Sequence, residues 1–158
     1  MFQVNDMVMY KREVCKIKQI KEKYYQNNDY YELVPVSDQS LKIDVPVTCS
    51  SIKNLITKQE IEDLIGKMAT VPVILCDTKL IEKEYKSLLA TENYEDLIQI
   101  IKTTYIRNKE RALQHKKLGD RDQYYFTKAE NYLYQEFAIV LDMSIDEVRD
   151  YILKNIIV

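Results

Sequence analysis

The chain has 158 residues, with no tryptophan, one histidine, two glycines, three prolines and three cysteines. So little glycine and proline argues against long flexible linkers. Three widely spaced cysteines without a CxxC pair indicate reduced thiols in a cytoplasmic protein. The single histidine, His115, lies in a charged segment, which leaves no credible metal-ligand set.

No apolar run approaches the roughly 18 residues that a membrane span needs. We therefore expect a cytoplasmic protein without membrane contact, metal or cofactor.

What is present indicates an ordinary globular protein, because 46% of residues are hydrophobic and 30% are charged. A formal net charge of −2 does not suggest a protein wrapped in nucleic acid. The charge is uneven, however: residues 102–128 hold eight cations and three anions, a local net charge of +5. The eight cations are Lys102, Arg107, Lys109, Arg111, Lys116, Lys117, Arg121 and Lys128.

The spacing of apolar residues changes near residue 56. Upstream, short runs such as residues 14–20, 30–36 and 41–47 are β-branched, aromatic or alternating, and turn residues separate them. They predict four or five strands, and so small a sheet buries enough only if it curls into a barrel. Pro35 places the run 30–36 near an edge. Downstream, apolar residues recur every three or four positions, as in helices. We predict an α+β protein with a β-barrel domain at 1–56 and a bundle of about five helices at 57–158.

Start signals mark the predicted helices. Thr57-Lys-Gln-Glu60 and Ser144-Ile-Asp-Glu147 are capping boxes, in which the hydroxyl and the carboxylate each accept an amide N–H. Asp77 or Thr78 is a candidate cap for a second helix, and Asn93 for a third that runs to about Leu113. A fourth helix starts near Asp120.

Catalytic signatures are missing from the sequence: no GxxxxGK[ST], GxGxxG, HExxH or GxSxG string occurs. Neighbouring carboxylates such as Glu82 and Glu84 are interspersed with lysines and fit solvated helix faces. We therefore predict that the chain is not an enzyme.

Four strings, taken in order, resemble the CarD-type bacterial transcription regulators. They are MFQVNDMVMY at 1–10, KIDVPV at 42–47, LIQIIKTTY at 97–105 and KAENYLYQEFAIVL at 128–141. The resemblance covers essentially the whole chain. It implies a Tudor-like or SH3-like barrel, shared with transcription-repair coupling factors, that docks on the RNA polymerase β subunit. It also implies a helical domain that contacts promoter DNA at the upstream edge of the melted bubble and changes open-complex stability.

The resemblance also implies contact residues on the barrel. The family places a basic polymerase contact just after the second strand, where this chain has Lys23. A second basic contact usually precedes the Val-Pro pair, and Asp44 stands there with the opposite sign. It either repels the partner or pairs with a compensating change on this polymerase. Many members have Pro and Gly in the first turn, whereas this chain has residues 11–14 as KREV.

For DNA, many members insert a tryptophan as a wedge at the start of the second helix. The matching place here is 76–79, which has no aromatic residue; Tyr85 is the nearest ring, and Leu75 or Leu80 is a weaker substitute. The candidate phosphate contacts are Lys79, Lys83, Lys109, Arg111, Lys116 and Lys117. The last four equally fit the C-terminus of a helix, where cations are favoured electrostatically.

Two functions from different classes remain. The first is a monomeric transcription regulator that binds the polymerase β subunit and weakly contacts promoter DNA. The alternative is an interaction module that binds polymerase or another partner without productive DNA contact, and the missing tryptophan favours it. An enzyme would need a deep pocket lined by acid–base groups with perturbed pKa values.

Overall fold

The computed structural model of the protein describes residues 1–91, 93–117 and 119–156. It is α+β, with five strands followed by five α-helices in the described residues, as the sequence predicts. The chain divides into two compact units, Met1–Ile56 and Thr57–Val158. No described helix is long and apolar enough to cross a membrane.

The first unit is an antiparallel sheet with the strand order β4-β3-β2-β1-β5. Its strands are β1 Met7–Tyr10, β2 Glu13–Tyr25, β3 Asn28–Pro35, β4 Ile43–Pro46 and β5 Ile52–Asn54. In the pairing of the described residues, β4 and β5 are the two edges, and the sheet is not closed. Its core contains Val8, Cys15, Ile17, Tyr31, Leu33, Val45 and Ile52.

Two tight turns fix the strand register. Lys11 and Arg12 join β1 to β2, and Gln26 and Asn27 join β2 to β3; all four have positive φ. Two central residues of positive φ make type I′ turns, whose twist matches that of paired strands. β2 is longer than the predicted run at 14–20, because it extends through Tyr25.

The expected edge position of the strand with Pro35 is wrong. β3 lies between β2 and β4, in the interior of the sheet. Pro35 is its last residue, and β4 pairs only with Tyr30–Leu33. The missing N–H of Pro35 therefore breaks no hydrogen bond to β4.

The second unit is helical: α1 Lys58–Lys67, a 3-10 turn Met68–Thr70, α2 Ile81–Leu89, α3 Tyr94–Leu113, α4 Asp120–Leu141 and α5 Ile145–Ile156. Both capping boxes form, since the amide of Glu60 donates to Thr57 Oγ1 at 3.1 Å and that of Glu147 to Ser144 Oγ at 3.1 Å. Asn93 caps α3 as expected. The expected cap on α2 is wrong: the helix begins at Ile81, and Leu80 at the N-cap position makes no side-chain hydrogen bond. A turn over 78–80 leads into it instead.

Candidate interaction surfaces

Asp44 lies in an ion cluster across three strands. It stands directly opposite Glu32 in the β3–β4 ladder, an unfavourable pairing of like charges. Lys21 on β2 offsets it, because its Nζ lies 3.0 Å from Asp44 Oδ1 and 3.4 Å from Glu32 Oε1. The hydrogen bond to Asp44 is the main cause that raises the pKa of Lys21. The charge of Asp44 is thus compensated inside the β unit by a residue that sequence reasoning missed.

The backbone of Lys23 is fixed by a hydrogen bond, whereas its side chain is exposed. It has φ 47° within the irregular stretch of β2 between Lys21 and Tyr25, and its N–H donates to Asp29 Oδ1 at 2.9 Å. A positive φ is uncommon for a residue with a side chain, so this bond fixes an otherwise unfavourable conformation. The side chain of Lys23 is exposed near the end of the β2–β3 hairpin.

The segment that precedes α2 is exposed, and it contains apolar and basic side chains. Leu75 is 92% exposed and Leu80 is 54% exposed. Lys79 and Lys83 are exposed beside them. Tyr85, by contrast, is fully buried, so its ring is unavailable to stack on a base. Of the three apolar candidates for a wedge, only the two leucines are at the surface.

Much of the basic stretch is used inside the helical unit. Lys102 Nζ donates to the carbonyl oxygens of Met68, Ala69 and Val71 at 2.7 to 3.3 Å, and it thereby caps the end of the 3-10 turn. Arg107 Nε lies 3.0 Å from Asp122 Oδ2, and Arg121 Nε lies 3.3 Å from Glu82 Oε2. The sequence excess of positive charge therefore overstates the basic surface that a partner meets.

The end of α3 explains part of the remaining basic cluster. His115 has φ 57°, its N–H donates to Ala112 O at 3.0 Å, and the N–H of Lys116 donates to Arg111 O at 2.8 Å. These bonds form a Schellman cap with histidine where glycine is usual. Arg111 adds to it, because its Nε donates to Lys117 O at 2.7 Å. Arg111 is thus a structural residue here as well as a DNA candidate.

Three candidates of this cluster are exposed on the surface: Lys109, Lys116 and Lys117. Lys109 also lies over the ring of Tyr105, with Nζ 5.2 Å from its centroid. Cations at a helix C-terminus are favourable by themselves. Their exposure leaves them able to contact phosphates as well.

A buried polar network joins three helices. Tyr85 on α2 donates its hydroxyl to Asp122 Oδ1 on α4 at 2.7 Å, and Arg107 on α3 pairs with the other oxygen. Burial first, and the Asp122 bond second, raise the pKa of Tyr85. Such a network specifies one helix arrangement because every member needs its partner. Sequence spacing gives no signal for it, since Tyr85 and Asp122 are 37 residues apart.

The described residues contain no cluster of three or more potential metal ligands. Cys15, Cys49 and Cys76 are free, and burial raises the pKa of the Cys15 thiol to about 11. A groove of about 310 Å³ is lined partly by Lys67, Glu95 and Asp96. The two carboxylates belong to the first turn of α3, where the helix dipole favours negative charge.

No protein-family model matches the chain, and no curated protein matches it. The resemblance to CarD-type regulators therefore rests on the sequence strings alone, and it stays a prediction.

Proposed function

We propose that this protein is a transcription regulator that binds the RNA polymerase β subunit through its β unit and contacts upstream promoter DNA through its helical unit. The proposal includes a small Tudor-like barrel form of the β unit, in which the sheet curls without a ladder between β4 and β5, a monomeric state and a cytoplasmic location. Its mechanism is tethering: a unit held on polymerase raises the local concentration of a weak DNA-binding unit.

The compensated Asp44 is the observation that carries the polymerase contact. A bare carboxylate at a place where the family has a cation would oppose the same partner. The Lys21 ammonium, 3.0 Å away on β2, supplies positive charge at that place. With Lys23 at the hairpin, the surface has two cations, of which Lys21 is shared between the carboxylates of Asp44 and Glu32. Electrostatic complementarity of this kind steers association more than it adds affinity.

The DNA contact draws on the exposed lysines of two segments: Lys79 and Lys83 near α2, and Lys109, Lys116 and Lys117 at and beyond the end of α3. Phosphate contacts need only cations at an accessible surface. Leu75 and Leu80 offer an apolar surface, smaller than a tryptophan, for a base step at the bubble edge.

The deciding experiment is calorimetric titration of this protein against the N-terminal lobe of its own RNA polymerase β subunit. One-to-one saturable binding is expected. Lack of binding at concentrations near 100 µM, roughly the weak end of specific interfaces, would overturn the proposal.

A second candidate function is polymerase docking without productive DNA contact. Two observations favour it: the chain has no tryptophan, and Lys102, Arg107 and Arg121 are engaged within the helical unit. The two functions differ in open-complex lifetime. If the protein binds the lobe but saturating protein leaves the lifetime of the promoter open complex unchanged, the interaction module is the correct function.

A further inference from the structure

The β2–β3 hairpin extends past its neighbours. β1 pairs with β2 only at Glu13–Lys16, and β4 pairs with β3 only at Tyr30–Leu33. Residues 22–28 therefore form a two-stranded ribbon beyond the strands on either side. A ribbon that is accessible on both faces is placed to enter a recess on another molecule.

The ribbon is also pre-organised. Its turn has two residues, Gln26 and Asn27, with φ 49° and 62°. The bulge at Lys23 is held by its N–H bond to Asp29 Oδ1. Rigid elements lose less conformational entropy on binding, which leaves more of the contact energy as affinity.

An aromatic cluster covers this ribbon. Tyr24 is 51% exposed and Tyr25 is 59% exposed. Both rings pack edge-to-face on Tyr30, with centroids 5.7 and 6.4 Å away, and these contacts restrain their orientations. Lys21 Nζ lies 4.4 Å from the Tyr24 centroid and further restrains that ring. Tyrosines are over-represented among residues that dominate protein–protein binding energy.

The charge around the cluster selects the kind of partner. Within residues 22–29, Lys23 is the one cation, and Glu22 and Asp29 are two anions. Lys21 is committed to Glu32 and Asp44. A polyanion such as nucleic acid would find no net attraction here. The cluster fits a protein surface with an apolar recess for the tyrosine rings. A carboxylate at the border of that recess would pair with Lys23.

We propose that Tyr24 and Tyr25, supported by Tyr30, are the anchor of the protein-docking surface of the β unit, with Lys23 at its rim. This inference rests on the proposed function, in which the docked protein is the lobe of the polymerase β subunit. It assigns most of the binding energy to the two rings and only a smaller, salt-sensitive part to Lys23.

The test is titration of that lobe with the full chain carrying Tyr24→Ala and Tyr25→Ala together. The expected decrease in affinity is roughly 10- to 100-fold, the range for truncated anchor residues. Tyr24→Phe with Tyr25→Phe keeps the rings, so its affinity should stay within about threefold of the parent. The matched control is Tyr124→Ala in the helical unit, because Tyr124 is 53% exposed and also lies beside a lysine, Lys128, and a second ring, Tyr125.

The outcomes separate the two proposals. If the unmodified protein does not bind the lobe, the proposed function fails, and the inference fails with it because its partner is gone. If the unmodified protein binds and the double alanine variant binds equally well, the inference alone is overturned. Circular dichroism and a thermal melt of each variant establish that a decrease in affinity does not come from unfolding.

Discussion

The ammonium nitrogen of Lys21 lies 3.0 Å from Oδ1 of Asp44, on a strand two positions away in the sheet. Glu32, on the strand between them, completes the cluster. A carboxylate that looks in the sequence like a reversed contact charge is thus half of an internal ion pair. The ion pair bears on both the stability of the β unit and its binding surface.

Lys21→Met should lower the stability of the β unit at pH 7, because Glu32 and Asp44 then face each other without a cation. Since the folded-state pKa of Lys21 is raised, its contribution is present below the unfolded value of about 10.5 and disappears as pH rises through the folded value. Thermal melts from pH 7 to 11 measure this, with Lys18→Met on the same strand as the control.

Lys23→Glu should weaken binding to the polymerase β lobe by roughly 3- to 10-fold, mainly through a slower association rate, as rim charges do. The effect should fade at high salt, where exposed charges are screened. Stopped-flow association at two ionic strengths is the measurement. Lys58→Glu, at an exposed lysine of the helical unit, is the control; equal rates for the two variants would remove Lys23 from the interface.

Replacing Lys109, Lys116 and Lys117 with Gln should reduce the slope of log affinity against log salt for promoter DNA by up to about three, roughly one for each phosphate that a lysine no longer neutralises. Arg111 is kept, because its bond to Lys117 O maintains the cap of α3. A control triple variant at Lys16, Lys42 and Lys58 removes the same charge from exposed sites elsewhere. If the slope of the test variant is unchanged, these three lysines do not contact DNA. The DNA interface then lies at Lys79 and Lys83, or the protein has none.

Tyr85→Phe should destabilise the helical unit by about 1 to 3 kcal/mol, because Asp122 keeps Arg107 but is deprived of a buried donor. The raised pKa of Tyr85 means that its contribution is present below about pH 10 and disappears as pH rises through the folded value. Urea unfolding at pH 7 and pH 11 therefore should show a smaller difference between variant and parent at the higher pH. Tyr124→Phe, at an exposed ring, should be neutral.

His115→Gly should stabilise the helical unit by up to about 1 kcal/mol, since glycine adopts the left-handed conformation without the steric cost of a side chain. Gln114→Gly, one residue earlier at φ −94°, is the contrasting control and should not stabilise. Urea unfolding compares the two. Destabilisation by His115→Gly would mean that the imidazole itself contributes to the end of α3.

The order and type of the elements follow from local patterns in the sequence. Alternating apolar residues before position 56 and three-to-four spacing after it predict strands and then helices, because each pattern places apolar side chains on one face of its own element. The start sites at Thr57, Asn93 and Ser144 are readable because caps are local interactions over two or three residues. Asp77 and Thr78 have the right chemistry for a cap, yet the backbone forms a turn there, and chemistry alone does not reveal that.

The surfaces were less accessible to sequence reasoning. A sum of the charges between residues 102 and 128 treats every cation as available to a partner. Lys102, Arg107 and Arg121 instead contact groups of the helical unit that helix packing brings close to them. The predicted strand run ends at residue 20, whereas β2 extends through Tyr25 before the turn at Gln26 and Asn27. The longer strand makes Tyr24 and Tyr25 part of an exposed cluster on a ribbon.

The sequence by itself determined the two kinds of secondary structure, the position of the change between them and most helix caps, because these depend on residues within one or two turns of each other. Only the tertiary structure decided which charges are available to a partner. The Lys21–Asp44 and Arg107–Asp122 pairs each join separate elements, and long-range pairs of that kind form only when packing brings the elements together.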